Sequence, residues 1–269
     1  SGERCRRRCG NADRLGSVAR VVHPHSSPFP DRPMTRLLSI IAVVFALSLS
    51  LVPETAAQPI APDREASCKP TDASNLYYPN DGEQAACITR MYTEPAPDTL
   101  FFRQSAYDEV VVRAGDGDRM TLTMDAVTRN ASKSDAEADL AEVGLKQVNG
   151  VYQPTGPDGD AAGWWSARFT IQVPPQTTLA IESKNGDLVV RGVQGGHHLQ
   201  SKDGDIILDL PSAANIELIA QTENGDLSIG FPVVVEGSVN NRIQTSVGSG
   251  GPTVRLNSKN GDVKIDRID

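Results

Sequence analysis

Aromatic residues are scarce in this chain. Phe, Trp and Tyr together make up 5% of its 269 residues, whereas Gly (23) and Pro (18) are plentiful. That usage argues against a helical bundle and for a turn-rich β protein. Long apolar runs are scarce too. The single candidate, residues 37–52, is 16 residues long, short of the ~20 that a helix needs to span a bilayer. Basic charge is short over most of the chain: residues 58–269 carry 18 Lys and Arg against 30 Asp and Glu. Such an acidic body is a poor partner for nucleic acid or an anionic membrane surface. Histidine and cysteine are few, at four each, and no CxxC pair occurs. P-loop, dinucleotide-binding, HExxH and GxSxG motifs are all missing. The sequence therefore lacks the signatures of those nucleotide-binding and hydrolytic chemistries.

The first 57 residues reverse the charge, with eight Arg against four acidic residues. Met34 is followed by Arg36, the apolar run and then Thr55-Ala56-Ala57. A basic start, an apolar stretch and small residues before a cut identify residues 34–57 as a signal peptide, cleaved after Ala57. A membrane anchor is the competing reading. The short run and the lack of stop-transfer charges after it argue against one. No Cys follows the cut, which argues against a lipid anchor, and no membrane insertion beyond the signal peptide is expected. Residues 1–33 carry Arg6-Arg7-Arg8 among many Pro and Ser. They are expected to be an over-extended, disordered N-terminus, with Met34 the true start. The arginines lie too far from the apolar run for a twin-arginine signal. Cys5 and Cys9 then have no role in the mature protein, and a CxxxC metal site would lack further ligands.

Export places the expected mature protein in the periplasm or at the cell exterior. Cys68 and Cys87 remain as an even pair, which in an exported chain predicts a disulfide. Closing a loop of about 18 residues would stabilise by roughly 3 kcal/mol in the chain-entropy model. Residues 58–107 are rich in Pro, Asp and Asn and read as an irregular arm stapled by that bond. The next region, 108–269, reads as the β domain proper. Strands are expected at 109–113, 120–124 and 164–173, the last stopped by Pro174-Pro175. Ser134-Asp135-Ala136-Glu137 is a capping box, and Gly144 a stop, for one short helix near 135–143.

The C-terminal half is a repeat. Ser183-Lys184-Asn185-Gly186-Asp187, Ser201-Lys202-Asp203-Gly204-Asp205, Thr222-Glu223-Asn224-Gly225-Asp226 and Ser258-Lys259-Asn260-Gly261-Asp262 look alike, with Gly spacings of 18, 21 and 36. The last gap holds two periods, so a degenerate unit or a long loop lies within it. Aligned on Gly, the positions two and four residues later are always aliphatic: Leu188 and Val190, Ile206 and Leu208, Leu227 and Ile229, Val263 and Ile265. Ile181, Leu199, Ala220 and Leu256 lie five residues before. This period of two marks strands with one face in a core. Each unit is thus strand, Asn/Asp-Gly turn, strand, with Gly186, Gly204, Gly225 and Gly261 as structural turns. A β-solenoid stacks such units in columns, and an antiparallel β-meander joined by Asn-Gly hairpins is the alternative. The fixed period and the columns favour the mainly β, solenoid-like stack.

With Phe169-Thr170-Ile171-Gln172-Val173-Pro174, Leu179-Ala180-Ile181 and the run from Asn185 to Gly192, residues 108–269 resemble the bacterial putative-adhesin family of β-strand-repeat domains. The resemblance implies an exported or envelope-attached β-solenoid. It brings no catalytic residues with it.

The chemistry-bearing residues fit that picture. Asp187, Asp205, Asp226 and Asp262 form one column, in which like charges at ~4.8 Å would repel unless hydrogen-bonded or bridged by a cation. Turn capping is the first reading. Calcium at the corners is the second, and the sharp carboxylate asymmetry that a glycosidase needs is missing. His197-His198 reads as solvated turn residues pointing to opposite faces. Trp164-Trp165 should give one core and one exposed ring. The expected function is that of a non-catalytic, cofactor-free structural or adhesin-like interaction module. Its partner would be an envelope protein or a cell-surface glycan. A polysaccharide-active β-helix enzyme and an envelope-stress-related assembly partner are the alternatives.

Overall fold

The computed structural model describes residues 57–68, 82–107, 109–158, 163–232 and 241–268. The expected N-terminus (1–33) and most of the signal peptide (34–57) lie outside the described residues. The strands run in chain order as β1 (Gln58–Ile60), β2 (Arg64–Ser67), β3 (Gln84–Pro95), β4 (Thr99–Tyr107), β5 (Val110–Ala114) and β6 (Arg119–Asn130). Helix α1 (Lys133–Glu142) follows, then β7 (Gly144–Val148), β8 (Val151–Thr155), β9 (Trp164–Val173) and β10 (Thr178–Asn185). Next come β11 (Leu188–Arg191), β12 (His197–Asp203), β13 (Ile206–Pro211) and β14 (Ile216–Asn224). The last four are β15 (Leu227–Ile229), β16 (Arg242–Val247), β17 (Thr253–Asn260) and β18 (Val263–Ile268).

These strands build two nine-stranded sheets. Sheet A runs β1-β7-β8-β4-β10-β12-β17-β14-β16, and sheet B runs β15-β18-β13-β11-β5-β9-β6-β3-β2. Each Asn/Asp-Gly turn is a corner that carries the chain from sheet A to sheet B, so it is not a hairpin. Neighbouring units pair in parallel, in both sheets and in one register: Leu199 lies beside Ile181 and Leu256, and Ile206 beside Leu188 and Val263. The solenoid-like reading holds and the meander does not.

The order of units in space differs from their order in the chain. β17–β18, the last unit, inserts between β12–β13 and β14–β15. The long Gly gap is filled in part by β16, which pairs antiparallel with β14 and ends sheet A. A further unit precedes the recognised four. β4 and β5 pair in parallel with β10 and β11, with a corner that has no Asn-Gly.

The core lies between the sheets. Every predicted inward position is buried except Leu227 and Ile229, which are half-buried in the end unit. Phe102 and Phe169 meet edge to face at 5.0 Å where the stack begins. Each such aliphatic or aromatic side chain contributes about 1.5–3 kcal/mol by leaving water.

The irregular arm expected at 58–107 is a correction. Where described, it is mostly strand: β3 pairs along its whole length with β6, β4 is a full member of the stack, and β1 and β2 form edges of the two sheets. Its alternation is blurred because α1 covers β3 and because buried Gln104 replaces an aliphatic on β4. Cys68 and Cys87 are joined by a disulfide, and Cys87 packs with Val127. Helix α1 starts two residues earlier than expected. The Ser132 hydroxyl, rather than Ser134, accepts the Asp135 N–H, and Val143 ends the helix before Gly144. The second strand runs from 119 to 130 instead of stopping at 124.

The corners explain the glycines. A Cβ on Gly204 would lie 2.3 Å from the Gly186 carbonyl oxygen, one on Gly225 2.2 Å from that of Gly261, and one on Gly261 2.3 Å from that of Gly204. The obstacle is rigid backbone of the neighbouring unit, so turn conformation is the lesser requirement at Gly204. Gly204→Val should therefore force the two units apart. Overpacking of this kind costs about 1–3 kcal/mol, or a fall of roughly 2–12 °C in Tm for a domain of this size. Gly144→Ala is the control, because its Cβ would meet only the Thr155 hydroxyl, at 3.4 Å. Thermal melting that places both variants within a degree of the parent would contradict the corner packing.

Candidate functional site

The corner column is the first place to look for chemistry. Backbone hydrogen bonds continue around it from one sheet to the other. The N–H groups of Gly186, Gly204 and Gly261 donate to the carbonyls of Asp203, Asn260 and Asn224, each at 2.9 Å. Those of Leu188, Ile206 and Val263 donate to Asp205, Asp262 and Asp226 at 2.8–2.9 Å. The side chains repeat the pattern. Asp187 Oδ1 accepts the Asp205 N–H, Asp205 Oδ1 accepts the Asp262 N–H, and Asp262 Oδ1 accepts the Asp226 N–H, all at 2.8 Å. The aspartates thus cap the next unit's corner rather than their own. Asp226 stands at the end of this ladder.

Two further columns flank it. The Thr222 hydroxyl donates to the Gly261 carbonyl at 2.7 Å and that of Ser258 to Gly204 at 3.1 Å, whereas Ser183 turns to its own corner. Outside them runs an amide ladder, with Asn224 donating to Asn260 Oδ1 at 2.9 Å and Asn260 to Asp203 Oδ1 at 2.6 Å. The Asn260 amide, and to a lesser degree Lys202 and Lys259, hold the exposed Asp203 carboxyl below its ordinary range. Among the described residues, no group of three or more His, Cys, Asp or Glu side chains is placed to hold a metal ion. The four aspartates do not converge on a calcium site.

His197 corrects the sequence reading. It lies in β12, not in a solvated turn, and is 3% exposed. Its Nε2 is 3.1 Å from the Val193 carbonyl oxygen, to which Nε2–H donates. Burial lowers its pKa from the ordinary imidazole range. His198 faces outward, as the alternation requires. Neither Trp is fully exposed: Trp165 packs against the core, and the Arg129 guanidinium lies 3.9 Å above the Trp164 ring.

The concave surfaces lie elsewhere. A cavity of about 560 Å³, lined by Phe231, Val247, Ser246, Thr245 and Arg267 among others, sits beside the end unit and has no carboxylate on its walls among the described residues. A shallow depression of about 440 Å³ on the outer face of sheet A is lined by Arg103, Gln200, Lys202, Glu223, Asn257 and Lys259. Sequence reasoning missed this second feature. The lysines were visible in the repeat, but their shared face depends on parallel register.

Two outcomes follow. Asp205→Asn keeps an oxygen acceptor for the Asp262 N–H and should leave Tm nearly unchanged, with or without calcium. Asp205→Ala removes the acceptor and should cost about 1–2 kcal/mol. A calcium-dependent loss in Asp205→Asn would instead make the column a metal site. The second outcome concerns pH. In the unfolded chain the His197 imidazole takes a proton near pH 6.5, whereas in the fold it resists protonation to a lower pH. The unfolded state then binds more protons, so stability falls as pH drops below about 6.5. His197→Leu should flatten melting profiles between pH 7.5 and 5.5. An unaltered slope would assign the effect to another group.

The family described as Toastrack DUF4097 matches residues 99–266. A putative cell adhesion protein from Clostridium sporogenes is similar in structure, with a TM-score of 0.42 and 10% identity over 67% of this chain and 100% of its own. A putative adhesin from Bacteroides fragilis has a TM-score of 0.29 and 14% identity over 68% and 97%. A putative adhesin from Parabacteroides merdae has a TM-score of 0.24 and 10% identity over 67% and 96%. No curated protein matches the chain. With most of its length matched in sequence, and with a stack of parallel units joined at glycine corners, this chain belongs to the Toastrack DUF4097 family.

Proposed function

We propose that this protein is an exported, non-catalytic interaction module of the bacterial envelope. The observation that supports this most directly is the commitment of the repeat's polar residues to the corner. Asp187, Asp205 and Asp262 each accept a backbone N–H of the next unit. An acid/base pair needs two groups in unlike environments, and these three have the same one. The stack instead offers broad, regular faces. Such faces suit contact with an extended partner, as in other repeat architectures. Names given to the structurally similar proteins above are those of adhesins, which agrees with a surface role. The apolar run before Ala57 supports export to the periplasm or cell exterior. Among the described residues no helix is long and apolar enough to cross a membrane.

Envelope extracts and purified cell-wall glycan are the test. The protein should retain at least one envelope component, and no acidic or neutral glycan should be cleaved, with or without calcium. Retention of nothing would remove the interaction reading. Product release from any glycan would replace it with an enzyme.

A further inference from the structure

The body of this domain is acidic, yet the outward positions of β4, β10, β12, β17, β14 and β16 carry six cations against three carboxylates. The cations are Arg103, Lys184, Lys202, Arg255, Lys259 and Arg242; the carboxylates are Glu182, Glu217 and Glu223. Three of the cations form a ladder. The register Ser183↔Ser201↔Ser258 and Asn185↔Asp203↔Asn260 sets Lys184, Lys202 and Lys259 side by side on adjacent parallel strands, about 4.8 Å apart. Like charges directly opposite one another destabilise a sheet.

The register sets Glu223 beside Lys259 at the end of the ladder, but ion pairs do not neutralise the ladder. Among the described residues Lys202 reaches one carboxylate, Asp203 at 3.4 Å, and Lys184 and Lys259 have no ion pair. Several other exposed cations are paired, among them Arg103 with Glu182 at 2.8 Å on the same face. On sheet B, Arg191 pairs with Asp209 at 3.1 Å and Lys264 with Asp266 at 2.8 Å. The aspartate column cannot serve as the ladder's counter-charge either, because its carboxylates are turned to backbone N–H groups past the corner. Beside the lysines lies a second row, Gln200, Asn257 and Gln221, with Gln221 donating to Asn257 Oδ1 at 3.0 Å. Arg255 occupies the third row. Cations, amides and a shallow depression thus run along the stack axis, perpendicular to the strands.

We propose that the outer face of sheet A binds a linear acidic polysaccharide. Lys184, Lys202 and Lys259 take successive carboxylates, and Gln200, Asn257 and Arg255 take hydroxyls and further acidic groups. The proposal rests on the interaction-module reading and names its ligand class. A linear glycan is favoured over nucleic acid by the side chains present. Among the described side chains of these six strands Phe101, at the far edge, is the one exposed large hydrophobic, so they offer no run of rings on which bases could stack. The amide row suits hydroxyls.

Polygalacturonate is the probe, with dextran as the neutral control and duplex DNA as a second polyanion. The purified full chain should be retained on immobilised polygalacturonate at low salt, be released by salt, and ignore dextran. Lys184→Gln/Lys202→Gln/Lys259→Gln should weaken binding about tenfold or more, the sum expected of three exposed charge contacts. Lys202→Gln alone should fall between. Arg113→Gln/Arg191→Gln/Lys264→Gln, which removes the same charge from sheet B, should stay within about twofold of the parent. The ladder variant should melt at or above the parent temperature, because it relieves repulsion. Equal losses in the two triple variants, no retention on polygalacturonate, or tighter binding to DNA would each overturn the proposal. Undiminished capture of envelope components by the ladder variant would overturn this face alone and leave the interaction module standing.

Discussion

The stack depends on how closely the backbone of one corner approaches the next. At Gly204, Gly225 and Gly261 the neighbouring carbonyl oxygen occupies the place where a Cβ would be. That approach lets the ladder of N–H···O bonds turn the corner without a break, so sheets A and B share one continuous stitch. The rest follows from it. With the corners fixed at strand spacing, the residues two and four later must fall in columns, and those columns are the core. A longer corner would let sheet B slip against sheet A. Because the side-chain period is two, a slip of one residue would turn Ile206 and Leu208 outward.

The same approach decides what the polar repeat residues can do. An Asp one residue after Gly sits where the next unit presents an N–H, and charge-assisted hydrogen bonds are among the stronger neutralising partners for a carboxylate. Each such bond offsets part of the repulsion between like charges at close spacing in the column. Ser183, Thr222 and Ser258, three before Gly, reach carbonyls on the inner side of the corner, where a larger side chain would meet the core. Lys one residue later points away on sheet A. One five-residue motif thus distributes its side chains among core, corner and face. The face is what remains for recognition.

Much of this was legible in the sequence because alternation and Gly spacing are local. The inward residues, the corners and the parallel stack all follow from them. The unit β4–β5 was not legible, since the sequence joining its strands lacks Asn-Gly and Gln104 stands at a core position. His197 was misplaced for a related reason. Gly195-Gly196 before it reads as a turn, but β12 begins at His197 itself, and the imidazole is drawn inward by alternation with Leu199. The order of units was beyond reach. Each unit presents the same donors, acceptors and aliphatic columns above and below, so any unit can stack on any other. Only the path through β16, which reverses direction, returns the chain to a site between β12 and β14.

That insertion has a consequence for the ends of the stack. An open parallel stack leaves strand edges that invite further pairing, and a repeat that accepts any unit would accept a second copy of itself. Here β17–β18 lies in the middle, flanked on both sides, and the ends are made from strands of another kind. At one end β16 runs antiparallel to β14 and has no Asn-Gly corner to pass on, while β15 is only three residues long. At the other, antiparallel β6, β3 and β2 extend sheet B, β7 and β1 extend sheet A, and α1 packs over β3 and β6. The ladder of Asp side chains stops at Asp226, the last corner before the short edge. Short edges, reversed strands and a covering helix are the means by which a sheet protein blocks pairing between copies, and they leave the broad outer faces as the accessible surface.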